Sequence, residues 1–201
     1  MSTKTTVLNM AYLPNIEWMH AFLSNNCIID IYENFQKQSY RNRAVILSAN
    51  GTFPLVIPIQ NQHKKTPMHA LQPDNQVKWQ RQHWESIKAA YGSSAFYIHY
   101  APYFEKLYQK PTHSVLQFEV ELLQLLLKLL KIDRPINLST EYIDATENYI
   151  DLRQTISPKL ISSFEPKPYL QIFAGKFPFQ ANLSVLDLLF NQGPQSISYI
   201  L

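Results

Sequence analysis

The sequence predicts an α/β fold: a single domain in which a mixed, partly parallel sheet, an N-terminal βαβ unit plus a hairpin, is packed by several helices. Three observations predict it. Thr5–Met10 and Cys27–Tyr32 are apolar, β-branched stretches on either side of a helical one, the order of a parallel βαβ unit. Asn50-Gly51 stands between two further apolar segments as a hairpin turn. Residues 78–91 and 114–132 then carry apolar side chains at helical spacing. With 201 residues, 46% hydrophobic and 16% charged, the chain can bury one sizeable core, and residues 1–201 are expected to form one domain.

Each element has a local cause. The first strand ends at Ala11-Tyr12-Leu13-Pro14, where the proline keeps the preceding residue out of the helical region. Asn15 is placed to cap a helix over Ile16–Leu23. Ligands of βαβ units sit beyond the carboxyl ends of the strands, so the Tyr12–Asn15 and Glu33–Arg43 loops are expected to overhang one crevice. Ala44–Leu47 and Phe53–Ile59 form the hairpin arms; Pro54 and Pro58 make the second an edge strand, because proline cannot donate to a ladder. Gln60–Gln76 is polar, contains Lys64-Lys65, and is expected to be a mobile functional loop.

Along 78–91, Trp79, His83, Trp84, Ile87, Ala90 and Tyr91 fall within an arc of about 140° on a helix, which Gly92 then stops. A second, aromatic helix covers Ala101–Tyr108. Residues 114–132 read as a central core helix, interrupted by Glu119, Glu121, Gln124, Lys128 and Lys131. Ile136–Thr140 is expected to return as a strand. Four prolines break up Ile156–Phe179, which should wrap the surface, and Asn182–Asn191 closes the chain as a short capped helix before Gly193-Pro194.

Several function classes are disfavoured. The chain has only four glycines, no two of them close together, so neither a Walker loop nor a dinucleotide fingerprint can form. Cys27 is the sole cysteine and lies mid-strand, which rules out an internal disulfide and speaks against a thiol nucleophile. No Gly-x-Ser-x-Gly elbow occurs. His63, His69 and His83 lack the close spacing of metal ligands, so no metal site is expected, and no cofactor motif is present. Met1–Thr6 lacks a basic-then-apolar leader pattern, and no apolar run of about 18 residues occurs. A soluble, cytoplasmic protein without a membrane span is expected.

The stretch Gln36-Lys37-Gln38-Ser39-Tyr40-Arg41-Asn42-Arg43 carries three cations and no acid. It sits in a basic region, 36–110, with ten Lys/Arg against three acids, within a chain of net charge +3. Arginine presents a planar fork that fits phosphate or carboxylate. Two readings of Arg41, Asn42 and Arg43 stay open: a clamp on an anionic ligand, or arginines paired at a strand entry with Asp30 or Glu33. His83 is open in the same way between a core histidine and a general acid or base. Trp79 and Trp84 are either core or a platform for a ring.

Several segments together resemble the WbqC-like proteins: Tyr12-Leu13-Pro14-Asn15, the Glu33–Arg43 loop, Leu55–Ile59, Trp79–Trp84 with Ala90-Tyr91, and Asn182–Phe190. The Gln-Ser-Tyr-Arg-Asn-Arg and Trp-x-x-x-His-Trp signatures are the specific ones, and the order covers nearly the whole chain. Where many relatives carry Gln-Pro ahead of the Tyr-Leu-Pro motif, this chain has Asn9-Met10-Ala11. The resemblance implies work on sugar nucleotides or amino sugars in bacterial surface polysaccharide synthesis, such as that of O-antigen.

The combined expectation is a transferase-type enzyme with a small anionic ligand, a sugar nucleotide. Arg41 and Arg43 would hold phosphate, with Gln36, Gln38, Asn15, Tyr40 and Asn42 as polar contacts. Tyr12, Trp79 and Trp84 would contact a ring, and His83 would move a proton. The alternatives are a non-catalytic module for nucleic acid or another anionic polymer, or a scaffold in a glycan-synthesis complex.

Overall fold

The computed structural model describes residues 4–60 and 65–201. His63 and Lys64, part of the polar loop singled out above, lie outside the described residues. Strand β1, Thr5–Asn9, is the centre of a three-stranded parallel sheet of order β2-β1-β5, with β2 at Cys27–Asp30 and β5 at Tyr149–Asp151. Val7 sits opposite Ile28 on one side and Asp151 on the other. Helix α1, Ile16–Ser24, makes the crossover between β1 and β2, and the Asn15 side chain accepts from the Trp18 amide as its cap. The βαβ unit and its cap are therefore as expected.

The hairpin is β3, Arg43–Ser48, against β4, Gly51–Val56, antiparallel and in register Ser48↔Gly51 across the turn. Gly51 has φ +104, a value that favours glycine, which is why Asn-Gly marks this turn. The hairpin forms a sheet of its own, so among the described residues Pro54 meets no further strand on its free side. Ile136–Thr140, expected as a strand, meets β2 at a single parallel bridge, Ile29↔Leu138. Its flanking amides still bond: Ile29 donates to Asn137 and Ser139 to Ile29.

Helices α2, Trp79–Tyr91, α3, Tyr97–Gln109, and α4, Val115–Leu129, follow in succession. α3 begins four residues before the expected start and carries Pro102 inside it. The apolar arc of α2 is the buried one: Trp79, His83, Trp84, Ile87, Ala90 and Tyr91. On α4 the stripe Val115, Glu119, Leu122 and Leu126 is shielded from solvent. Helix α5, Val185–Gln192, is buried over six consecutive residues, Val185–Phe190, and α6, Ile197–Ile200, ends the fold. Among the described residues no helix is long and apolar enough to cross a membrane.

The core joins these layers. Burying a Val, Leu, Ile or Phe side chain is worth about 1.5–3 kcal/mol each, and Leu8, Ile16, Ile46, Ile87, Leu122 and Phe190 are all fully buried. Residues 183–185 wedge α5 into the rest: Ser184 donates to the Val45 carbonyl of β3, and Val185 to that of Pro14. The loop after β1 is thus packed from both sides. Tyr12, Leu13 and Asn15 are almost fully buried.

Candidate functional site

Asp30, at the end of β2, starts the construction. Its Oδ1 accepts from the Tyr32 and Glu33 amides at 2.9 and 3.2 Å, turning the chain out of the strand. Glu33 then meets Arg41 in a two-pronged pair: Nε to Oε1 at 2.7 Å and Nη2 to Oε2 at 2.5 Å. Arg41 is 2% exposed and Glu33 4%, so this is a buried ion pair. Burial pushes the Glu33 carboxyl up from its ordinary value, against the pull of Arg41.

Arg41 also donates to the Arg153 carbonyl at 3.1 Å. Arg153, just beyond β5, is fixed in turn by Asp30 at 2.5 Å and by Asp151 at 2.7 Å. The Asp151 carboxyl is held below its usual range by Arg153. A second arginine, far away in sequence, thus joins the first, and nothing in the spacing of the chain signalled it.

The two arginines line a small cleft of about 210 Å³. Gln36, Lys37, Gln38, Ser39 and Arg41 form one wall; Arg153, Gln154, Ser157 and Lys159 form the other. The 36–39 turn closes with Ser39 donating to the Gln36 carbonyl at 2.6 Å, and Gln38 has φ +58, a left-handed value uncommon outside glycine. Among the described residues, neither Lys37 nor Lys159 has a carboxylate within ion-pair distance.

His83 lies elsewhere. Its Nδ1 is 2.8 Å from the Tyr12 hydroxyl, which is 2.5 Å from the Tyr108 hydroxyl. The Val56 carbonyl pulls the pKa of the ring up, against the larger effect of burial. One chain of hydrogen bonds ties α3, the β1 loop and α2 together. Burial lowers the His83 pKa to about 4, so the ring is neutral at physiological pH. Burial likewise raises both tyrosines, Tyr12 with a further push from Tyr108.

Glu119 is the residue that sequence reading passed over. It is 0% exposed, and among the described residues neither carboxylate oxygen has a hydrogen-bond partner. Burial raises its pKa well above the ordinary value; the Arg41 charge pulls the other way. The signal was present, because 115, 119, 122 and 126 share one helical stripe whose other members are apolar.

The remaining expected residues fall into distinct places. Trp79 and Trp84 line a groove of about 640 Å³ between α2 and α3. Trp84 donates to Glu105 at 3.2 Å, and Trp79 to Asn75 at 3.3 Å. Asn15 caps α1 with Tyr40 beside it. Asn42 donates to the Ile57 carbonyl at 2.8 Å. Arg43 opens β3, and its buried Nε has no partner among the described residues. The structure brings Gln36, Gln38 and Arg41 together in the cleft; His83 lines neither the cleft nor the groove. The Tyr12–Asn15 and Glu33–Arg43 loops do meet, with the Tyr12 amide bonded to the Tyr40 carbonyl at 2.9 Å.

Comparison with known proteins adds two findings. The model of the WbqC-like protein family matches residues 10–160. An uncharacterised protein of Mycobacterium tuberculosis is 24% identical over 204 residues, covering 85% of this chain and 86% of its own length. No solved structure matches the chain.

Proposed function

The chain belongs to the WbqC-like protein family, and from that premise we propose that it is a cytoplasmic, transferase-type enzyme taking a nucleotide-linked sugar or amino sugar in bacterial surface polysaccharide synthesis. The observation that carries this reading is the cleft at Lys37 and Lys159. Two lysines without an ion-pair partner among the described residues line it beside two guanidiniums already fixed by carboxylates. Lysine is a compact point charge suited to phosphate oxygens, and fixed arginines hold the wall without further ordering cost. With no glycine loop in the chain, side chains would supply the phosphate contacts, joined by the Gln36 and Gln38 amides.

In this reading Arg41 acts as a wall bound to Glu33, and the ligand's charge falls to Lys37 and Lys159. Asn15, Tyr40, Asn42 and Arg43 would hold the loop behind the cleft. His83, through Tyr12, would be a positioning residue. Arg41 and Lys110, two of the ten cations of the basic region, are each paired with an acid, which lessens the support for a nucleic-acid surface.

Isothermal titration of the full chain with uridine and thymidine diphosphate sugars tests the reading. Saturable binding is expected, weakened about tenfold or more in Lys37→Ala/Lys159→Ala, since charge-assisted hydrogen bonds to phosphate are worth about 1.5–3 kcal/mol each. Silence across these sugars, or unchanged affinity in the double variant, would overturn it. Tight, steeply salt-dependent binding of a single-stranded oligonucleotide would favour the polymer-binding alternative instead.

A further inference from the structure

Three cavities adjoin where the chain passes from α3 to α4. The groove of about 640 Å³ shares Asn75 and His113 with a second cavity of about 490 Å³. It shares Pro111, Thr112 and His113 with a third of about 320 Å³. The first alone has the volume of a small-molecule pocket; its two neighbours prolong it into a branched furrow.

The furrow is close to neutral. Lys78, Arg81 and Lys110 stand against Asp74, Glu85, Glu105 and Glu121, three positive and four negative charges, a net −1. Lys110 and Glu121 already neutralise each other at 2.8 Å. Such a lining favours neither a polyanion nor a cation. Uncharged hydrogen-bonding capacity is what it has in excess. Gln60, Gln72, Gln76 and Gln109 face it with side-chain amides that bond to nothing among the described residues. A primary amide offers donor and acceptor side by side, the match for a sugar hydroxyl that is also both.

An apolar strip accompanies the amides. Val77 is 41% exposed and with Pro111 lines the same space, to which Trp79 and Trp84, 2% and 6% exposed, add little surface. Apolar surface flanked by amides accepts the C–H face of a pyranose while the rim takes its hydroxyls. The Lys37 cleft has the opposite character: four cations and about a third of the groove's volume.

We infer that the furrow joining the α2–α3 groove to its two neighbours binds a neutral oligosaccharide, more than one sugar residue at a time. The inference stands on this lining alone; combined with the transferase reading, it makes the furrow the seat of a glycan acceptor.

Tryptophan fluorescence and amide NMR titration of the full chain with maltose, maltotetraose and chitotetraose test it. Saturable binding insensitive to salt is expected, and a tetrasaccharide, two residues longer than maltose, should bind about tenfold or more tighter, a gain of about 1.4 kcal/mol or more. Gln72→Ala/Gln109→Ala, both at exposed positions, should weaken it about tenfold. Lys37→Ala/Lys159→Ala should leave it unchanged. No saturable binding by any of the three sugars, equal affinity for maltose and the tetrasaccharides, or an unaffected glutamine variant would overturn the inference. Nucleotide-sugar titration reads the Lys37 cleft and this titration reads the furrow, so either proposal can fail while the other holds.

Discussion

Replacing His83 by glutamine is expected to remove a pH dependence that the wild-type fold carries. The imidazole is 7% exposed, and burial lowers its pKa from 6.5 to about 4. Between these values the unfolded chain binds a proton that the folded one refuses, so stability rises with pH there. The contribution is complete above the unfolded value and is lost as pH falls towards 4. A shift from 6.5 to about 4, at 1.36 kcal/mol per pH unit, amounts to about 3 kcal/mol in full and about 2 kcal/mol by about pH 5. Urea denaturation of wild type and His83→Gln at about pH 7.5 and about pH 5 measures it. Surface groups cancel in the difference between the two proteins. The Glu119 carboxyl works with opposite sign, its raised pKa giving stability at low pH that is lost as pH rises, and it cancels too. Equal pH slopes in wild type and variant would refute the reasoning. Should the variant fail to fold, the NMR titration of His83 in the wild type decides: a midpoint near 6.5, in place of about 4, refutes it equally.

Three further outcomes are expected. Glu33→Ala leaves the Arg41 guanidinium buried without its carboxylate, at a cost of about 3–5 kcal/mol in denaturant melts, and adding Arg41→Ala should recover part of it. Glu119→Leu should raise stability by about 1–4 kcal/mol, because the buried carboxyl has no hydrogen-bond partner among the described residues to lose; the gain should grow with pH, and a destabilised variant would refute the reasoning. Leu122→Ala, at a fully buried position of α4, should lower stability by about 2–5 kcal/mol with the fold retained by circular dichroism.

Local chemistry made much of the architecture legible. Asn15 announced α1, Asn50-Gly51 the hairpin, and the 3.6-residue period the buried face of α2, because caps, turns and periodicity are set within a few residues. The boundaries of α3 and the single-bridge pairing of 136–140 were less legible. Pro102 inside α3 reads as a breaker, and whether an extended stretch pairs depends on the neighbour it meets.

The site was legible in part. Residues 36–43 stood out as basic and donor-rich, and Gln36–Ser39 with Arg41 do line a cleft. Lys159 and Arg153 in its other wall stood out in no pattern, since they come from a proline-broken segment without periodicity. Glu119 stood out only as an interruption of a long apolar helix, since periodicity along one helix does not say what a charge on its stripe will meet.

By itself the sequence determined the βαβ unit, the hairpin, the buried face of α2, the cap and turns that bound them, and the absence of any glycine cradle for phosphate; the third strand, β5, it did not show. Tertiary structure alone decided which polar groups are spent. Arg41 found Glu33 and the carbonyl of Arg153, 112 positions away; His83 found Tyr12, 71 positions away. Such pairings arise where closed elements bring side chains within about 3 Å, a distance no spacing along the chain encodes. Those pairings turned Arg41 and His83 inward and left Lys37 and Lys159 facing the open cleft.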